Sequence, residues 1–446
     1  MNKPNKSGQV LLLTVGTGDG EQREATLYRP LRLSIEKGTF SEVILLPSLV
    51  SEEWAEQVRT DLASLNMHIH PLPRKKDEEN ADHCFNHFDR VLTELLEAGW
   101  QGHQIAIDPT RGTKMMSAAL ILAAVRRDVT SLRYITGERD TRGMVQSGTE
   151  QIAEFRTTRI TAARRLDDAL HLFQHGNFAV VLDVVPDPDL GWATLHWPEV
   201  YHPGMRAIRS LAQFYTAWDR LNYQEAHKVA LNENDLPDGR WKALAPTLAV
   251  REWLKRIAGP FPEPDDESTR KQSKAPYLLR LAVDLWGNGQ RRIKSGQLED
   301  AAVRAYRILE MIGQMRLFER GHDSAQLDPR HPEIAKYVTK MAKNKDTPLS
   351  KNRDGTLMAP RERVTGLLRS MGDEMGKTLI DLGNDSLMSA NVRNTSILIH
   401  GFCAKAPDGR VMAEFYRKLE EELLRPCLGE QRLNWLEWVK MSFDRS

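Results

Sequence analysis

The first 135 residues carry five short apolar runs, and four of them are followed by stretches of helical length and pattern. Val10–Val15 precedes Arg23–Lys37, and Glu42–Leu46 precedes Glu52–Leu65. The weaker run Met67–Leu72 leads through a charged Arg74–Glu79 loop to Ala81–Ala98. Gln104–Ile107 precedes Lys114–Arg127, and Ser131–Ile135 closes the series. Runs of four to six apolar residues bounded by turn residues suit buried strands. Repeated strand–helix units leave one economical solution: a parallel sheet covered on both faces, with right-handed crossovers. The expected fold class is therefore α/β at the N-terminus, Rossmann-like, followed by an all-α region.

In such a sheet ligands bind beyond the carboxyl ends of the strands, where the strand order reverses. Two loops fall at strand ends: Thr14–Gly20, with Gly16, Thr17 and Gly18, and Asp108-Pro109-Thr110-Arg111-Gly112-Thr113-Lys114. The second opens a helix, so its amides and dipole favour an anion, with Arg111 and Lys114 adding charge. Gly112 would let a phosphate approach the backbone closely. Neither loop has the spacing GxGxxG or GxxxxGK[ST], which excludes the dinucleotide and P-loop readings. From the residues alone, a plain Gly/Pro turn with solvated charges stands level with an anion site.

Residues 155–256 read as mostly helical, broken at Pro186-Asp187-Pro188 and near Pro203-Gly204, with aromatic residues at core-like spacing. Gly259–Pro276 reads as a linker or surface loop, and from Pro276 the pattern is all-α. Tyr277–Trp286 forms one expected helix and Gln297–Arg320 a longer one, with Ala305, Ile308, Leu309, Ile312 and Met315 on its apolar face. Glu310 reads as a solvated edge residue. The basic stretch Lys340–Arg363 reads as a solvated loop or a phosphate-tracking surface. These breaks suggest domains at 1–154, 155–275 and 276–446.

Composition narrows the function classes. A net charge of +1 gives no global footprint for long nucleic acid, so any RNA contact must be local. Three cysteines without CxxC spacing make neither a zinc framework nor a secreted disulfide set, and no metal site is expected. The longest apolar run, Met115–Val125, is too short to span a bilayer, and no signal peptide is visible; no membrane partner and a cytoplasmic location are expected.

The chemistry is expected near the C-terminus. Val392–Cys403 reads as a buried helix with Ser389 or Asn391 as its N-cap. Seven residues bring Arg393 and His400 to within roughly 20° on one face. The bland reading is a helix edge whose Arg and His are satisfied by neighbours. The functional one is RNA cleavage, with His to move protons and Arg to hold charge on phosphorus.

Arg393, Asn394, Ser396, Ile397, Leu398, His400 and Gly401 resemble the R-x(4–6)-H signature of HEPN ribonucleases, in the form found in CARF–HEPN proteins of type III CRISPR systems. Asp108–Ser117 resembles the [DN]-x-T-x-G-T-K-x-M motif of the CRISPR-associated Rossmann (CARF) fold, and T-V-G-T-G at Thr14–Gly18 is similar to its other ligand loop. That resemblance implies a sensor for cyclic oligoadenylate, lined by Thr14, Gly16, Thr17, Gly18, Thr110, Arg111, Gly112, Thr113 and Lys114, with a helical connector to the nuclease. It departs at Arg111, where the family usually has glycine. It implies His400 as the proton carrier, Arg393 as the charge-holding cation and Asn394 as the orienting group. It also implies a homodimer, a single-stranded RNA substrate and a metal-independent reaction leaving a 2′,3′-cyclic phosphate, with no cofactor beyond the allosteric activator. The rival reading is a cyclic-oligoadenylate sensor or ring nuclease whose helical half is a non-catalytic regulatory or docking module.

Overall fold

The computed structural model describes residues 6–441, except 19, 140, 142–144, 147, 191–196, 232–235, 237–238, 260–266 and 385–407. The chain divides into two compact units, residues 1–170 with 183–206, and residues 171–182 with 207–446. Among the described residues no helix is long and apolar enough to cross a membrane.

The first unit is built on a six-stranded sheet: β1 (Val10–Val15), β2 (Glu42–Pro47), β3 (Met67–Ile69), β4 (Ile105–Asp108), β5 (Ser131–Thr136) and β6 (Gln151–Arg156), in the order β3-β2-β1-β4-β5-β6. The first five are parallel. Helices α1 (Arg29–Glu36), α2 (Glu52–Asp61), α3 (Ala81–Glu97) and α4 (Lys114–Arg126) connect them. Alternation explains the two-sided burial. Val10, Leu12, Ile44, Leu46, Ile105 and Ile107 face one core, with α3 and α4 residues such as Phe88, Leu92 and Leu120. Leu11, Leu13, Val15, Val43, Leu45 and Ala106 face the other, with Leu31, Ile35 and Val58 of α1 and α2. The strand order reverses between β1 and β4, which places both loops singled out above at the switch point.

The sequence missed β6. Its residues, Gln-Ile-Ala-Glu-Phe-Arg, are almost all exposed, so no apolar run marks them. The strand forms by antiparallel pairing along β5, from Ser131 opposite Arg156 to Thr136 opposite Gln151, and backbone hydrogen bonding leaves no hydropathy signal. The expected helix Arg23–Lys37 begins as a π-turn at Glu24–Tyr28 and becomes α-helical only at Arg29.

The second unit is helical. Its main elements are His202–Asp219, whose first turn belongs to the other unit, then Leu248–Ala258, Glu267–Lys294, Leu298–Glu319, Pro332–Lys343, Arg361–Ser370, Glu374–Gly383, Gly409–Lys418 and Asn434–Lys440. Two readings need correction here. The expected linker Gly259–Pro276 is largely helix from Glu267 onward, with Pro276 in its interior. The helix expected to stop at Trp286 runs on to Lys294, straight through Gly287-Asn288-Gly289. Those glycines are there for packing. A Cβ on Gly287 would lie 2.5 Å from the Val439 carbonyl, and one on Gly289 1.9 Å from the Tyr416 hydroxyl.

A polar spine crosses this unit. Asp284 is fully buried and accepts from Trp218 Nε1 and Tyr223 Oη, both at 2.7 Å. Asn288 donates to the Asp219 carbonyl at 2.7 Å, and Arg291 and Arg292 pair with the Asp219 carboxylate. Burial pushes the Asp284 carboxyl above the usual range, opposed by the charge of Arg291. Phe173, Phe178, Tyr215 and Trp218 pack ring against ring in the core, as their spacing suggested. Glu310 sits beside Arg307 at 2.9 Å on a partly exposed edge. In the basic stretch, Arg361 lies over the Tyr306 ring at 4.6 Å and Arg363 faces Asp346 at 3.7 Å, while Lys340, Lys343, Lys345, Lys351 and Arg353 are exposed.

Candidate functional site

The loop after β4 is organised by Asp108, a buried carboxylate that the sequence placed in the motif but gave no role. One of its oxygens accepts from the Thr110 amide at 2.9 Å and from the Thr110 hydroxyl, and the other from Ser34 Oγ at 2.5 Å. This Asp-x-Thr turn directs the chain toward α4. The Thr110 hydroxyl also accepts from the Ile135 amide at 3.2 Å, tying the loop to β5. Thr113 is the N-cap of α4: its hydroxyl accepts from the Met116 amide at 3.2 Å and donates to the Glu78 carbonyl at 2.6 Å.

The two loops touch. A Cβ on Gly16 would lie 2.5 Å from the Arg111 carbonyl, and one on Gly112 would lie 2.8 Å from Thr14 Cβ and 2.9 Å from Met116 Cβ. Gly112 is thus needed for loop-on-loop packing, a constraint that the expected phosphate approach did not include. Gly18 adopts φ +69°, a left-handed conformation that suits glycine. Arg23 Nε donates to the Thr17 carbonyl at 3.0 Å, and its guanidinium stacks 3.7 Å from the Trp54 ring centroid.

The nine sensor residues named from the sequence separate by exposure. Thr14 is completely buried; Gly16, Thr110, Arg111 and Gly112 are half-buried; Thr17, Gly18, Thr113 and Lys114 are exposed. Arg111 turns inward and donates to the Thr26 carbonyl at 2.9 Å. Burial lowers its pKa from the ordinary value, opposed by the charges of Asp108 and Glu150. The outer face therefore offers Thr17, Gly18 and the Lys114 ammonium at the N-terminus of α4, an arrangement that suits an anion. Arg393, Asn394 and His400, with the whole expected helix Val392–Cys403, lie outside the described residues.

The first unit is thus a Rossmann-type sheet with two interlocked loops at its switch point, and the second is built mainly of helices. Residues 268–424 match the family model described as the Csm6 HEPN domain. The chain is similar in fold to Enterococcus italicus Csm6, solved bound to cyclic hexa-2′-fluoro-hexa-dAMP: TM-score 0.54, 12% identity, covering 98% of this chain and 99% of that one. Can2 from Sulfobacillus thermosulfidooxidans, solved with cyclic tetra-adenylate, matches at TM-score 0.21 and 12% identity over 48% of this chain and 67% of that one. That second likeness is too slight to carry any argument. No curated protein matches the chain.

Proposed function

We propose that this chain is a cyclic-oligoadenylate-activated endoribonuclease of type III CRISPR defence, acting in the cytoplasm on single-stranded RNA. The observation that carries the reading is that Arg393–His400 falls inside the segment matching the Csm6 HEPN domain, in a chain whose other unit presents Thr17, Gly18 and Lys114 at a Rossmann switch point. We divide the chain into a sensor (1–154), a connector (155–275) and a nuclease (276–446).

In the proposed reaction the substrate's 2′-hydroxyl attacks the adjacent phosphorus. A P–O2′ bond forms, the P–O5′ bond breaks, and the products carry a 2′,3′-cyclic phosphate and a 5′-hydroxyl. His400 moves the protons, Arg393 neutralises charge on the phosphorane, and Asn394 orients His400 or the phosphate. Two chains pair so that two copies of the motif build one site. The deciding experiment is RNA cleavage with and without cyclic tri-, tetra- and hexa-adenylates, alongside thermal shift with the same ligands. Stabilisation by a ring without any cleavage would favour the rival reading, a sensor with a docking module.

Lys114→Ala should weaken binding of the activating ring by about 1.5–3 kcal/mol, roughly ten- to hundredfold, since it removes one charge-assisted contact from an exposed position. Unchanged affinity in calorimetry would reject this sensor site. Because the internal 2′-hydroxyl is the nucleophile, cleavage assayed below the unfolding temperature should persist in excess EDTA and still yield cyclic-phosphate ends. Activity lost on chelation and restored by magnesium would mean a metal-dependent mechanism.

A further inference from the structure

The segment joining helices Leu298–Glu319 and Pro332–Lys343 is held by its backbone at both ends. After the first helix the chain turns through Gly321 at φ +78°, and the His322 amide donates to the Leu317 carbonyl at 2.9 Å. At the other end His331 is the N-cap residue, Pro332 opens the helix and Glu333 lies in its first turn. Between them, Leu327 exchanges two backbone hydrogen bonds with Leu357, at 2.8 and 2.9 Å, and the Ala359 amide donates to the Ser324 carbonyl at 2.8 Å. Asn352 Nδ2 donates to the Ala325 carbonyl, also at 2.8 Å.

This scaffold brings three metal-ligating side chains together. The rings of His322 and His331 are 4.4 Å apart at 83°. His322 Nε2 is 3.4 Å from Glu333 Oε2, and one donor atom from each of the three residues lies within 4.8 Å of the others. We propose that His322, His331 and Glu333 form a structural site for one zinc-class divalent cation, which fastens the end of one helix to the start of the next.

The one close donor separation fits a shared cation. Zinc bonds of about 2.05 Å at the tetrahedral angle place neighbouring donor atoms roughly 3.3 Å apart. The His322–Glu333 separation matches that edge and exceeds the 2.7–3.2 Å range of an ordinary hydrogen bond. The two imidazoles and the Glu333 carboxylate each bring one donor atom to within 4.8 Å of the others. Two nitrogens and one carboxylate oxygen suit zinc better than magnesium or calcium, which take oxygen. His322 is buried, while His331 is exposed and Glu333 half-exposed, so the open side has room for water as a fourth ligand. The sequence gave no sign of this site because its ligands, H-x8-H-x-E, have no common zinc spacing. It is separate from the RNA chemistry: the cation binds the folded arrangement and raises its stability.

The test uses full-length, untagged protein, chelator-stripped and titrated with zinc. One zinc per chain should bind and raise the unfolding temperature. Cobalt should give a visible spectrum without sulfur charge transfer, which keeps Cys84 and Cys427 out of the site. His331→Ala and Glu333→Gln, at positions open to solvent, should each weaken zinc binding by at least about 10–100-fold, the loss typical even of outer-shell changes. Each should also erase the thermal shift. Wild type that takes up no zinc, or either variant binding zinc as tightly as wild type, overturns the proposal.

Discussion

Mixed with an equal amount of wild-type chain and allowed to exchange subunits, His400→Ala protein is expected to drag activated RNA cleavage well below half. If two chains build one active site, random pairing leaves roughly a quarter of the dimers fully wild type. The mutant homodimer should lose about 10²–10⁴-fold in cleavage, the usual contribution of general acid–base catalysis. Its affinity for the activating ring should stay within about threefold, because binding at the sensor and proton transfer at His400 use different groups. Arg393→Ala should behave alike. Activity that simply tracks the amount of wild-type chain, once exchange has been verified by labelled subunits, would show that each protomer cuts alone. The composite site would then be wrong even if His400 is essential.

Gly289→Val is expected to cost the helical unit about 3 kcal/mol, the upper end of the usual cost of overpacking a core. The first atom of any side chain at 289 would lie 1.9 Å from the Tyr416 hydroxyl, 2.4 Å from Cζ and 2.5 Å from Cε1. Tyr416 is almost fully buried and donates to the Ala301 carbonyl at 2.8 Å, while its own carbonyl accepts from Trp286 Nε1 at 3.0 Å. The ring cannot slide away without giving up that hydrogen bond and opening a cavity. A loss of this size is a large part of the roughly 5–15 kcal/mol that holds a domain folded. Urea melts of Gly289→Ala, Tyr416→Ala and the double variant form the control. The double variant should be less destabilised than the sum of the singles, since removing the ring leaves space for the new methyl. Strict additivity would mean that the two residues do not press on each other.

Local chemistry is what a sequence states directly, and in this chain it reached a long way. Alternating apolar residues such as Leu11 and Leu12 must face opposite sides of a strand, so β1, β2 and β4 and their burial on both faces could be read from period alone. The Gly-rich turn after β1 and the Asp108–Lys114 motif could likewise be assigned to strand ends. The resemblance of Arg393–His400 pointed to the domain family that residues 268–424 match. Contacts between residues far apart in the chain were decided only by tertiary structure. Gly112 faces Thr14, and Arg111 turns inward to the Thr26 carbonyl rather than outward with Lys114. Strand β6 exists because β5 offers it an edge, not because its own residues favour burial. Gly287 and Gly289, which locally signal a helix end, lie inside a helix because Val439 and Tyr416 need the space. His322, His331 and Glu333 meet because two helix ends meet. The physical reason is common to all of these: propensity and periodicity act over a few neighbouring residues, whereas close packing is a property of surfaces that only the folded chain brings together.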